Sequence, residues 1–104
     1  MEETTENILK FIEIVRTSFG AAIAVYTMGN CYQFYEILKV VFPGAVAYES
    51  GGHVYTKIGD NFYDIRGKLN EDYHLKIVTA DRIQSLSVNK WTDQRRKEYK
   101  PYQK

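Results

Sequence analysis

Phe42-Pro43-Gly44 divides the chain into two stretches with different hydrophobic periods. Proline has no backbone N–H and its ring clashes with the preceding turn, so no helix runs through this point. Before it, apolar residues recur at helical spacing; after it, they alternate as in half-buried strands. Helices followed by short alternating strands predict an α+β domain, with N-terminal helices packed on a small antiparallel β-meander.

Ile8, Leu9, Phe11, Ile12, Val15 and Phe19 give the first segment an apolar face, with Glu2, Glu3 and Glu6 at its start and Arg16 near its end. These charges suit the helix dipole and predict a helix over 4–18. Gly20 breaks it, and the apolar run 21–26 reads as extended or irregular buried chain, with helix as the close alternative. Thr27-Met28-Gly29-Asn30 is a loop in which Asn30 is placed to N-cap a second helix, from Cys31 to about Val41. Phe34, Ile37, Leu38 and Val41 line its expected buried face. Strands are expected over 45–49, 53–58 and 62–66, turning at Ser50-Gly51-Gly52 and Gly59-Asp60-Asn61. A further strand is expected over 75–78, a short helix capped by Thr79 over 80–86, and another from Thr92 to near Tyr99.

A length of 104 residues fits a single domain, here with a core over 20–78 and a basic tail over 90–104. Its 44% hydrophobic and 26% charged residues exclude a disordered or coiled-coil chain. Fourteen Lys and Arg against thirteen Asp and Glu give +1, which neither steers a polyanion nor repels one, so nucleic acid is not the default partner. The longest apolar run, Gly20 to Tyr26, is far short of the roughly 20 residues that cross a bilayer, so no membrane role is expected. The acidic start Met-Glu-Glu-Thr-Thr-Glu is unlike a secretory signal and leads to an expected cytoplasmic location. One cysteine and two histidines make neither an internal disulfide nor a zinc-finger spacing. With no P-loop, dinucleotide fingerprint or calcium loop either, no cofactor or metal is expected.

Cys31 is the residue with chemical potential. At the first position of a helix, unpaired backbone N–H groups and the positive end of the dipole both favour a thiolate. The same N–H groups can hold the oxyanion of a tetrahedral intermediate. A lone cysteine is otherwise a small buried hydrophobe. His53 opens a strand directly after Gly51-Gly52, at a sheet edge that can face a helix terminus. Whether Asp64 orients it depends on the hairpin register. With Gly59-Asp60 as the turn pair, Tyr55 faces Asp64 and His53 faces Arg66, leaving Asp64 the diagonal neighbour of His53 at roughly 7–8 Å between backbones. With Asp60-Asn61, Asp64 faces Lys57 and lies too far along the strand. Asp64 could equally be a strand-end carboxylate paired with Lys57 or Arg66.

A turn ending in a cysteine at a helix start, then Gly-His-Val opening an alternating strand, Gly-Asp-Asn, and an aromatic-rich strand carrying Asp64 resembles the core of the papain-like cysteine hydrolases. The likeness spans Gly29 to Gly67 and is nearest to the NlpC-type endopeptidases, more distantly to the transglutaminase-like and arylamine N-acetyltransferase groups. It implies a single papain-like domain over 1–104, with Cys31 as nucleophile, His53 as base and Asp64 as the group that orients it. It also implies a peptide or protein substrate, attacked at an amide bond through a thioester. Two departures stand out: Tyr32 follows Cys31 where NlpC-type enzymes usually carry a small residue, and no upstream glutamine supplies an oxyanion donor. Tyr26 is the candidate for that second donor, although a buried core tyrosine is the commoner role for such a residue, with Asn30 and Tyr55 as further candidates for the oxyanion or substrate site.

The rival expectation is an inactive papain-like binding or inhibitor protein, of the compact kind common in phage and mobile elements. It would dock through a tyrosine-rich sheet or through the basic tail, where Lys90, Arg95, Arg96, Lys97, Lys100 and Lys104 interleave with Trp91, Tyr99 and Tyr102. Such a tail is more often a solvated final helix.

Overall fold

In a computed structural model of the chain, residues 1–70, 74–79, 81 and 82 are described. Three helices precede a five-stranded, wholly antiparallel sheet, giving the α+β architecture. Helix α1 spans Thr5–Thr17, α2 Ala22–Thr27 and α3 Cys31–Val41. The strands are β1 (Val46–Ser50), β2 (His53–Ile58), β3 (Asn61–Asp64), β4 (Gly67–Lys68) and β5 (Lys76–Ile77), in the order β4-β3-β2-β1-β5.

Helix α1 starts where Thr4 Oγ1 accepts the Asn7 N–H at 3.1 Å, a side-chain cap that satisfies one of the first-turn donors. Its Ile8 and Ile12 meet Phe34 and Leu38 of α3, and with Phe42, Ala45, Ile58, Tyr63 and Ile65 they form the main core. Each of this core's Ile, Leu and Phe side chains contributes about 1.5–3 kcal/mol by leaving water. Cys31, Tyr32, Ala47, Val54 and Val78 make a second cluster at the other end of α3. The cysteine is thus built into the packing that joins α3 to β1 and β2. After α3, Lys39 Nζ donates to the carbonyls of Pro43 at 2.6 Å and Ala45 at 3.0 Å, and Glu3 Oε2 accepts the Gly44 N–H at 2.8 Å. These bonds fix the helix-to-sheet corner that Pro43-Gly44 dictates.

Three local expectations are corrected. Residues 22–27 are helical, not extended: Met28 N–H reaches the Ala24 carbonyl at 2.9 Å and Thr27 Oγ1 the Ile23 carbonyl at 2.7 Å, while Ala22 is buried. Asn30 occupies the N-cap position of α3, but its side chain makes no capping bond; its carbonyl accepts the Phe34 N–H at 3.0 Å. The strand expected over 62–66 ends at Asp64, because the chain doubles back through Ile65-Arg66 into β4. On α3, Phe34 and Leu38 are buried as expected, whereas Ile37 and Val41 are half-buried.

The hairpin between β2 and β3 pairs Ile58 with Asn61, Lys57 with Phe62 and Thr56 with Tyr63. Gly59-Asp60 is therefore the turn, the register that places Asp64 diagonally from His53. Strand β5 adds to the β1 edge, Tyr48 facing Ile77. Asp81 and Arg82 are helical, and the rest of the expected helix over 80–86, the one from Thr92 and the basic tail lie outside the described residues.

Candidate active site

Cys31, His53 and Asp64 come from three different elements: the start of α3, the start of β2 and the end of β3. The β1–β2 turn puts His53 in place. Gly51 and Gly52 both have positive φ, 57° and 84°, the pattern of a two-residue hairpin turn with the twist that strands favour. Ser50 then pairs with His53, so the histidine is the first residue of β2 after the reversal.

His53 Nε2 lies 3.1 Å from Asp64 Oδ2. With Nε2 taken up by the carboxylate, Nδ1 is the ring nitrogen left for the side-chain hydrogen bond that His53 shares with Cys31. The sulfur also accepts the Val54 N–H at 3.3 Å and a bond from the Tyr32 backbone. The three expected residues thus form one continuous chain of bonds.

The electrostatics follow this chain. Burial pushes the Cys31 thiol up, but the His53 bond, the Val54 and Tyr32 amides and the histidine's charge outweigh it and hold the thiol below its ordinary value. Burial pulls His53 down, yet its bonds to Asp64 and Cys31 and their negative charges raise it to about 9. Burial pushes Asp64 up, while the bonds from His53 and Arg66 and the arginine's charge bring it to about 2. These shifts move the pair toward a thiolate beside an imidazolium, with an ionised carboxylate behind it.

Beside the sulfur opens a cavity of about 210 Å³, lined by Thr27, Gly29, Cys31, Tyr32, Gly51, Gly52 and His53. Three of its seven lining residues are glycines, so backbone forms much of its wall. Asn30 is buried beside Cys31 at the helix start. Tyr26 is half-buried and packs against Phe34 at 5.4 Å and Phe19 at 6.2 Å between ring centroids, on the main core and not among the cavity's lining residues. Tyr55 is buried with its ring edge-on to His53, 4.6 Å between centroids, and hydrogen-bonds Arg66. It backs the histidine and is likewise not among the residues that line the cavity.

Arg66, which the sequence offers only as an ion-pair partner for Asp64, belongs to the site. It donates to Asp64 through its backbone N–H (2.8 Å, to Oδ1), Nε (2.9 Å, to Oδ2) and Nη2. The pattern Asp-Ile-Arg-Gly held the signal: aspartate opens turns by accepting the N–H two residues on, and glycine suits the fourth turn position. Among the described residues, no group of three or more His, Cys, Asp or Glu side chains could hold a metal ion, and no helix is long and apolar enough to cross a membrane.

Fold and site together define a small α+β protein with a helix-terminal cysteine linked through a histidine to a carboxylate on an antiparallel sheet. A protein-family model described as phage YunG-like protein matches residues 8–101, and the chain belongs to that family. The family carries the phage association expected of so compact a chain. No curated protein and no solved structure matches it.

Proposed function

We propose that this protein is a papain-like cysteine hydrolase or acyltransferase acting on an amide of a peptide or protein, through a Cys31 thioester. The observation that supports this is the unbroken chain from the Cys31 sulfur through both nitrogens of His53 to Asp64. The thiolate would attack the carbonyl carbon, forming the C–S bond while the carbonyl electrons move to oxygen. The Cys31 backbone N–H, at the first position of α3 and without a helical acceptor, would be a donor for that oxyanion. Collapse would expel the amine, which takes its proton from the His53 imidazolium, leaving a thioester. Water or an incoming amine, deprotonated by His53, would then release the acyl group and restore the thiol. Asp64 would hold the ring in the tautomer with hydrogen on Nε2 throughout. The backbone-walled cavity suits a narrow, extended segment of substrate.

Incubation with an activated acyl donor, p-nitrophenyl acetate, followed by intact mass spectrometry tests this. The expected result is a single acetyl adduct mapping to Cys31, absent in Cys31→Ala and strongly slowed in His53→Ala. Acetylation that is equally fast in Cys31→Ala, or no slower in His53→Ala, would overturn it.

A further inference from the structure

We propose that Arg66 is a positioning residue for this site, holding the Asp64 carboxylate in the orientation that serves His53; the proposal rests on the thioester reading above. An aspartate at a strand end turns about its side-chain torsions unless both oxygens are held. Here Oδ1 takes the Arg66 backbone N–H at 2.8 Å, while Oδ2 takes Nε at 2.9 Å and Nη2 as a fork and also faces His53 Nε2 at 3.1 Å. The guanidinium is in turn bonded to Tyr55, whose ring lies edge-on to His53. His53, Asp64, Arg66 and Tyr55 therefore close a ring of contacts around the carboxylate.

An exposed ion pair would contribute little. In this one the carboxylate side chain is only 8% exposed although the arginine is 57% exposed, so the fork acts on a group that water does not reorient freely. The charged and titratable groups facing this centre are Cys31 from α3, His53 and Tyr55 from β2, and Arg66 from the turn after β3. Arg16 of α1 reaches the neighbouring Ile65 carbonyl at 3.3 Å and tethers that turn.

Positioning and simple counter-charge predict opposite signs. If Arg66 acts only as a positive charge, removing it makes the imidazolium easier to keep and the His53 pKa rises. If it acts by orienting Asp64, removing it lets Oδ2 leave Nε2 and the His53 pKa falls. Lysine at this position keeps the charge but lacks the planar fork.

The test is NMR titration of the His53 ring in wild type, Arg66→Gln and Arg66→Lys, with the alkylation rate of Cys31 followed in parallel. The expected result is a His53 pKa about 1 unit lower in both variants, the lower end of what one oriented opposite charge supplies, with slower Cys31 alkylation near neutral pH. If Arg66→Gln does not fold, Arg66→Lys carries the same expectation. A raised or unchanged His53 pKa in the variants, against a high wild-type value, would overturn the role of Arg66 alone. A wild-type His53 titrating in its ordinary range, with an unreactive Cys31, would overturn the thioester reading and this inference with it.

Discussion

At the scale of single residues, the site is a contest between burial and hydrogen bonding. Burial opposes every charge in it, and in each case the specific bonds win: Cys31 is lowered, His53 raised and Asp64 lowered. For Asp64 this has a consequence for stability. Its folded pKa of about 2 lies below the ordinary 3.8, so ionisation favours the folded state. That contribution is present above the ordinary value and is lost as pH falls through about 2. A shift of this size corresponds to roughly 2 kcal/mol. Asp64→Asn should lose about that much at neutral pH and flatten the decline in stability across this acid range. Urea titrations at a series of acidic pH values check it, and an acid decline identical to wild type would contradict the pairing.

At the scale of elements, turns decide where the chemistry falls. The β1–β2 turn is fixed by two glycines at positive φ, and an added Cβ at Gly52 meets nothing within 4 Å. Its substitution therefore costs conformational energy without a clash. Gly52→Ala should destabilise the protein by about 1–2 kcal/mol, the cost of a left-handed backbone for a residue with a Cβ, and should slow Cys31 alkylation because His53 follows directly. An unchanged urea midpoint would show that the turn relaxes at no cost.

The same scale explains what was legible in the sequence. Pro43-Gly44 and the change of period gave the order of helices and strands, and Gly59-Asp60 gave one of two registers, the one observed. Residues 22–27 were ambiguous because a short apolar run has no period to read; Ala21-Ala22-Ile23-Ala24 suits a helix as well as buried strand. Cys31 and His53 are legible as a helix start and a post-glycine strand start, whereas Asp64 stays open between two registers and takes its role from the resemblance to papain-like enzymes. Arg66 is legible only as an alternative ion-pair partner of Asp64; that Asp64 holds Arg66 and His53 together depends on the Asx turn, which folds Arg66 back onto the carboxylate. Tyr26 is a candidate donor only through its place five residues before Cys31, and packing puts it on the core, its commoner role, while Tyr55 lies behind the imidazole.

At the scale of the whole molecule, the site exists only because α3 packs on the sheet. Cys31 belongs to the same buried cluster as Ala47 and Val54, so the packing that joins helix to strands also brings sulfur to imidazole. The unfolded chain has no such pair, and Cys31 in urea should react as an ordinary thiol. The most direct measurement is therefore the rate of Cys31 alkylation by iodoacetamide against pH, in the native protein and in His53→Ala. The expected native profile holds a reactive plateau to below about pH 7, and His53→Ala reverts to a slow rise near the free-thiol pKa of about 8.5. A native profile that rises only in that alkaline range, and is unchanged by loss of His53, would contradict the thiolate–imidazolium pair.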